Sequence, residues 1–394
     1  MNDHLESNMN KRSFEQHLDP TFAPKRILAL DGGGLRGVLT IAFLKEIENL
    51  LRTQTGGGDD FRLCDYFDLI GGTSTGSIIA AGLALGMSVD EIRGHYFRLG
   101  HNVFKPSIFN NGYISQQYDA AKVADALKGV YGDRTLGSPD YRTGLIVLCK
   151  RLDTGSQWVL SNNPKARYHH ADGHARTVPN RDYPLWSVVR ASTAAPTYFA
   201  PEHIQIAAAD AHHDAVQGEF VDGGVSTMNN PALQLVLAAT VPGYGFGWEM
   251  GENKLEVTSV GTGRASQALG PSTGTDSLAA KHAVKALKSV LDDCADMVEV
   301  VMQWLSNSPT ARPIDRELGT LAGCSAGGGP SLSYRRYNVH FEASWFKQEL
   351  GRGYEQKMLD SLAQMDKPAN MMHLEEIGAL AAKRFVRPEH FMQR

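Results

Sequence analysis

Near its start the chain twice places a short apolar run directly before a glycine cluster, then continues with apolar residues at helical spacing. The first run is Arg26-Ile-Leu-Ala-Leu-Asp31, broken by Gly32-Gly33-Gly34 and followed by Val38, Ile41, Ala42, Leu44, Ile47 and Leu51. The second is Tyr66-Phe-Asp-Leu-Ile70, broken by Gly71-Gly72 and followed by a helical pattern from Thr75 to Leu85. Two strand–turn–helix units in series predict parallel strands covered by their crossover helices. The expected fold is therefore α/β, a mainly parallel central sheet between helices. Further strands are expected at Gly144–Cys149, Trp158–Ser161, Glu219–Val221 and Leu255–Val260, and helices at 90–99, 119–128, 185–192 and 231–239.

Patterning divides the chain into a polar, flexible lead-in (1–24), a main domain (25–270) and a C-terminal extension packed on it (271–394). In the extension, 276–306 reads as a long helix with Val290, Leu291, Cys294, Met297, Val298, Val301 and Leu305 on one stripe, expected to face the core. Its other face is acidic, with Asp292, Asp293, Asp296 and Glu299. A Gly/Ser/Pro-rich loop (307–330), a basic strand (331–341) and helices near 352–365 and 371–385 complete it.

Charge and cysteine usage narrow the class. With 39 Lys+Arg against 43 Asp+Glu, the net charge is −4, so no global basic field draws the chain to a nucleic-acid polymer. Cys64, Cys149, Cys294 and Cys324 are far apart without a C-x-x-C, as expected of reduced thiols rather than a disulfide or zinc framework. The polar N-terminus lacks the apolar core of a signal peptide, and no uncharged run is long enough to span a membrane. The expectation is a cytoplasmic protein.

Three glycine-flanked motifs carry chemistry. Gly72-Thr73-Ser74-Thr75-Gly76 is a G-x-S-x-G between an apolar strand and a helix. In that context a sharp turn projects the Ser74 hydroxyl outward and the helix N-terminus favours developing negative charge. Asp31-Gly32-Gly33-Gly34-Leu35-Arg36-Gly37 satisfies G-x-G-x-x-G, the pattern of a dinucleotide-binding loop. That use requires a second strand ending in an acidic residue about 20 positions on. The chain instead carries the loop Thr53–Asp60 there. The other use of such a loop is a set of backbone N–H donors for an oxyanion. The third motif, Asp222-Gly223-Gly224, puts an acid at a strand end, where a serine nucleophile would find a base.

The order of DGGGLRG (31–37), GTSTG (72–76), ASTAAPTYFAP (191–201) and DGG (222–224), with SVGTG at 259–263, resembles the patatin-like phospholipases over about residues 25–265. The resemblance implies a catalytic Ser–Asp dyad of Ser74 and Asp222, and an oxyanion hole from the backbone of Gly32, Gly33 and Gly34. Asp31, Arg36, Gly37, Gly72, Gly76, Gly223 and Gly224 are the supporting motif residues. It implies hydrolysis of fatty-acyl esters of membrane phospholipids, calcium-independent and without metal or cofactor. Membrane contact would be transient and at the inner membrane, with Phe104, Ile108 and Phe109 as candidates. The compact arrangement also resembles the bacterial antiphage effectors that a cyclic oligonucleotide switches on. Arg335, Arg336, His340, Lys347 and Arg352, interleaved with Tyr334, Tyr337, Phe341 and Trp345, are the candidate phosphate- or base-recognising residues, or an ordinary packed strand and helix. A homo-oligomer is a further expected partner state.

An ordinary aspartate, with pKa near 3.9, is a weak base at neutral pH, so such a dyad needs a desolvated acid and a strong oxyanion hole. Without a histidine to protonate an amine leaving group, esters are better substrates than amides. A Ser–His–Asp triad using His282, His340, His373 or His390 is disfavoured because one strand and one helix precede the serine, where that architecture places several. Glu202-His203, Asp210–Asp214 and His169-His170 read as solvated loops rather than metal sites. A ligand-gated binding protein with a vestigial site would be expected to have lost Ser74 or Asp222, and both are present. A constitutive lipid acyl hydrolase without nucleotide control is the other alternative.

Overall fold

The computed structural model describes residues 11–103, 118–171, 173, 176–196, 198–265, 279–324 and 326–392, with the side chains of 279–288 left out. In chain order the elements are α1 (Phe14–Leu18), β1 (Lys25–Leu30), α2 (Gly37–Gln54), β2 (Leu69–Thr73), α3 (Thr75–Ala84), α4 (Val89–Val103) and α5 (Ala120–Tyr131). There follow β3 (Gly144–Arg151), β4 (Gln157–Ser161), α6 (Leu185–Ser192), β5 (Glu202–Ala207), β6 (Val216–Asp222), α7 (Ala232–Thr240) and β7 (Leu255–Val260). The last third supplies α8 (Ala279–Leu305), β8 (Ser306–Asn307), β9 (Leu332–Tyr337), α9 (Ala343–Leu350), α10 (Gln356–Leu362) and α11 (Met371–Phe385).

All but β4 lie in one strand path, β5-β6-β3-β2-β1-β7-β9-β8, and β4 pairs with β3. The stretch β3-β2-β1-β7-β9-β8 is parallel, whereas β4, β5 and β6 pair antiparallel. Both β1 and β2 are buried at every position, as parallel strands covered on both faces must be. One core packs α2, α3, α5, α6 and α11 residues on one side of the sheet; a second holds Ile27, Ala29, Leu69, Ile146 and Leu148 against Leu235 of α7 and Met302 of α8. β3 acts as a ruler for the site: its Leu148 faces Thr73, and the next residue, Cys149, faces Asp222. That register delivers the ends of β2 and β6 to neighbouring positions.

Several elements depart from the sequence expectation. β2 starts at Leu69, because Leu63–Asp65 forms a one-turn helix and Gly71-Gly72-Thr73 continue the strand. Within the expected flexible lead-in, Ser13 and Gln16 form a capping box on α1, and Leu18 is buried. The buried Asp68 carboxylate draws this segment in, through Arg12 at 2.7 Å and His17 at 2.9 Å. Glu202-His203 open a strand, β5, rather than a loop; its alternation of exposed and buried residues is short and imperfect. Helix α9 was not anticipated.

The largest correction concerns α8. Val298 faces the core as expected and so does Met302, outside the predicted stripe, but Val290 and Met297 of that stripe are 55% and 61% exposed. Part of the acidic face turns inward instead, while Asp293 stays exposed. Glu299 is buried and meets Arg312 at 2.7 Å, and Asp296 pairs with Arg264. Long-range guanidinium partners decide the helix's rotation, and a helical wheel cannot show them.

Candidate active site

The turn between β2 and α3 is the most constrained backbone in the centre of the molecule. Ser74 sits there with φ +54° and ψ −126°, outside the regions a side-chain-bearing residue normally visits. Surrounding bonds over-determine it. The Ser74 amide donates to Ser192 Oγ at 2.9 Å, and Ser192 Oγ donates to the Leu148 carbonyl at 2.6 Å. The Ser74 carbonyl accepts from the amide and hydroxyl of Ser77 at 2.9 and 2.6 Å. Gly76 is required by close approach: a Cβ there would lie 2.1 Å from the Leu30 carbonyl oxygen. The Gly72 Cα packs against Gly76 in the same way.

Asp222 ends β6 beside this turn. Its amide donates to the Ala194 carbonyl at 3.1 Å, and its Oδ1 accepts the Gly224 amide at 2.7 Å. Burial pushes its carboxyl up to about 6, opposed by hydrogen bonding from the Ser74 hydroxyl and the Gly224 amide and by the charge of Arg190. Arg190 is fully buried, lies 5.3 Å from the centre of the Phe199 ring, and donates to the Ala200 carbonyl at 2.8 Å. Gly223 packs its Cα against the Leu148 carbonyl.

The Asp31–Gly37 loop lies across the turn. The Gly32 amide donates to the Asn229 carbonyl at 3.1 Å, and the Gly32 carbonyl accepts from Thr262 Oγ1 at 2.8 Å. The amides of Gly33 and Gly34 meet no main-chain acceptor among the described residues, and both glycines line the cavity over Ser74. Of the three expected oxyanion donors, Gly32 is therefore engaged elsewhere, and the other two meet no acceptor among the described residues. Gly34 needs to be glycine twice over, with φ +58° and the Met365 carbonyl 2.4 Å from where a Cβ would stand. Tyr96, whose hydroxyl donates to the Gly34 carbonyl at 2.5 Å, also packs on Gly37. Arg36 is buried, reaches the Ala363 carbonyl at 3.3 Å and lies 6.0 Å from the Phe341 ring centre.

Asp31 does not face the cavity. It is gripped by Arg336 of β9, at 2.8 Å to Oδ1 and 2.5 Å to Oδ2, and the same guanidinium reaches Ser259 Oγ at 2.7 Å. Burial alone would lower the Arg336 pKa, but the Asp31 carboxylate overrides it and raises it. Arg335, its neighbour, is spent on Glu256. Both arginines were candidates for phosphate recognition, and both make internal ion pairs. Lys347 and Arg352 are exposed.

Ser74, Asp222, Gly33, Gly34 and Gly224 open together on a cavity of about 180 Å³. Its other walls are apolar: Ile78, Leu99, Val103, Pro196, Phe199 and Met365 among them, with Leu291 of α8. No histidine lines it among the described residues. His340 and His390 lie in another cavity, and His373 bonds Tyr354. The side chain of His282 and the membrane-contact candidates Phe104, Ile108 and Phe109 lie outside the described residues. Sequence reasoning missed Ser192, Tyr96 and Arg190. Ser192 lies inside the stretch 191–201, while the other two are ordinary helical residues that only the fold brings near the site. Such an arrangement can present an activated hydroxyl and two amide donors to a carbonyl carried on an apolar chain.

Residues 28–236 match the family described as Patatin, patatin-like phospholipase. Among proteins of known description, the chain is 29% identical over 274 residues to an intracellular phospholipase A2 of Caenorhabditis elegans, covering 68% of this chain and 22% of that one. It is 30% identical over 218 residues to a cGAMP-activated phospholipase of Vibrio cholerae, covering 53% of this chain and 56% of that one. It is 26% identical over 253 residues to Patatin-17 of Solanum cardiophyllum, covering 61% of each. The chain thus spans less than two thirds of the length of each of these relatives.

Proposed function

The chain belongs to the patatin-like phospholipase family, and from that premise we propose that it hydrolyses fatty-acyl esters of phospholipids with a Ser74–Asp222 dyad. One observation carries the proposal. A serine held at φ +54°, a buried carboxyl raised to about 6 and two unengaged amides converge on one apolar cavity.

The steps follow from those groups. Ser74 Oγ attacks the ester carbonyl as Asp222 takes its proton. The new oxyanion receives hydrogen bonds from the amides of Gly33 and Gly34, and removing one donor of that kind typically slows a reaction about 10²–10³-fold. Collapse breaks the ester C–O bond, and Asp222 returns the proton to the leaving alcohol. Water, deprotonated by Asp222, then attacks the acyl-enzyme, releasing fatty acid and restoring Ser74. A base with pKa near 6 is about 90% ionised at pH 7 yet basic enough to accept a proton in the transition state. The apolar walls hold the acyl chain, at roughly 0.8 kcal/mol per buried methylene.

The same reading includes control by a cyclic oligonucleotide. Its support is the likeness to the cGAMP-activated phospholipase, together with arginines that stand beside aromatic residues in the C-terminal third. Among the described residues no helix is long and apolar enough to cross a membrane. The substrate bilayer is met transiently in this reading. The test is fatty-acid release from phospholipid vesicles, with and without cGAMP, by the wild type, Ser74→Ala and Asp222→Asn. Release that needs both residues supports the dyad, and release unchanged in either variant overturns it.

A further inference from the structure

A second cavity, of about 480 Å³, lies between β9, residues 309–313, α9 and the C-terminal end of α11. Its size is in the range that takes a drug-sized or nucleotide-sized ligand. Four arginines reach its wall, Arg312, Arg336, Arg384 and Arg387, against the carboxylates of Glu299 and Glu349. Arg312 is satisfied by Glu299, and Arg336 by Asp31. Arg384 and Arg387 are exposed and make no ion pair among the described residues. Opposite chemistry completes the wall. The Trp345 ring packs against both His340 and Phe385, with centroids 5.6 and 5.7 Å away and planes tilted by 31° and 36°.

Two guanidiniums without an ion-pair partner among the described residues, beside a cluster of aromatic rings, suit a ligand carrying both phosphates and bases. Guanidinium binds phosphate oxygens bidentately, and bases stack on aromatic faces. Inorganic phosphate would satisfy the arginines and leave the aromatic wall unused. A greasy ligand would strand the arginines.

The cavity is also wired to the site over Ser74. Arg336 lines it and, through the same guanidinium, holds Asp31, the residue directly before Gly32. The Arg336 Nε is buried with no partner. Arg384 stands near the end of α11, a helix about 22 Å long by its 15 residues. The segment preceding that helix supplies the Met365 carbonyl that accepts the Leu35 amide at 2.7 Å. A ligand that shifts Arg336 or the end of α11 thereby acts on both ends of the glycine loop.

We propose that this cavity is the activator site. It binds a cyclic oligonucleotide with its phosphodiesters on Arg384 and Arg387 and a base on the Trp345–Phe385 wall, and it acts on the Gly33–Gly34 donors through the Arg336–Asp31 pair. The proposal rests on the reading of the chain as a nucleotide-controlled phospholipase. By linkage, a ligand that favours the active arrangement tenfold has 1.4 kcal/mol of differential affinity for it.

The experiment uses calorimetric titration of the full chain with cGAMP, cyclic di-AMP, AMP and inorganic phosphate. Beside it runs fatty-acid release from phosphatidylethanolamine/phosphatidylglycerol vesicles. The variants are Ser74→Ala, Trp345→Phe and the double variant Arg384→Ala/Arg387→Ala, whose arginines are exposed. A cyclic dinucleotide is expected to bind the wild type and Ser74→Ala alike and to stimulate release only in the wild type. The double variant is expected to bind it at least about 100-fold more weakly, from two charged hydrogen-bonding groups at about tenfold or more each, with unchanged melting temperature and unchanged nucleotide-free release. Trp345→Phe, which keeps a stacking face, is expected to lose only about threefold. Binding and stimulation that survive in the double variant overturn the site while leaving nucleotide control standing. Binding of none of the probes, with release that ignores them, overturns the site and nucleotide control together.

Discussion

The two cavities are joined by one loop and built by opposite means. Over Ser74 the working parts are backbone: the amides of Gly33 and Gly34, a strained turn, and a carboxyl made basic by burial. In the second cavity the working parts are long side chains, and two of its four arginines are already committed to Glu299 and Asp31. The first geometry leaves no room for a Cβ at Gly34, Gly72, Gly76 or Gly223. The second is held by ion pairs, whose partners can be exchanged for a ligand's charges. In the proposed reading, chemistry falls to the apolar side and control to the cationic side.

The largest expected effect separates them outright. Ser74→Ala should lower fatty-acid release by at least about 10⁴-fold, as removal of a nucleophile does elsewhere, and leave cGAMP binding unchanged. Calorimetry beside the vesicle assay checks both halves. Next in size, Arg336→Ala should strand the Asp31 carboxylate, whose side chain is 6% exposed. Breaking a buried pair from one side typically destabilises by about 3–5 kcal/mol. Denaturant unfolding measures it, and adding Asp31→Asn should recover part of the loss. If Arg336→Ala is as stable as wild type, the link between the two cavities is not a structural one.

Asp222→Asn sharpens the comparison by moving stability and activity in opposite directions. The folded-state pKa is raised, so the protonated form stabilises the fold below the unfolded value near 3.8, and that contribution is lost as pH rises through about 6. The wild type thus carries a burial penalty above pH 6 that asparagine lacks. Asn should therefore raise stability at pH 7.5 by up to about 3 kcal/mol and by nothing near pH 4, while abolishing hydrolysis. In the wild type, hydrolysis should fall about tenfold between pH 7 and pH 5 as the base is protonated. The smallest effect is expected from Ser192→Ala, which removes the acceptor of the Ser74 amide. About 1–2 kcal/mol of stability and roughly a tenfold loss in rate are expected, read by melting and by kcat.

The same contrast explains what a sequence can reveal. The glycines at 34, 72, 76 and 223 are legible because a Cβ there would meet another backbone, and those at 32, 33 and 224 because it would press on the side chains of Asn229, Thr262 and Asp222, so the motif is the geometry in compressed form. Strands β1 and β3 are legible because burial on both faces forces nearly continuous apolar runs at Ile27–Leu30 and Leu145–Cys149. The role of Arg336 is not legible: its partner Asp31 stands 305 positions away, and a basic strand looks alike whether it binds phosphate or an internal carboxylate. Glu299 and Asp296 mislead for the same reason, since an acidic stripe is drawn as a solvated face until its arginines are placed. Ser192 lies between. Its motif was visible, but its bond to the Ser74 amide requires the register of β3.

Covalent labelling with a long-chain alkyl fluorophosphonate, followed by mass mapping of the modified peptide, tests the central claim most directly. Attack forms a Ser–O–P bond, expels fluoride and passes the hydroxyl proton to Asp222. The account predicts one label, on Ser74, whose rate falls as pH drops below about 6 and collapses in Asp222→Asn. A label on any other residue, or a rate that Asp222→Asn leaves untouched, would contradict it.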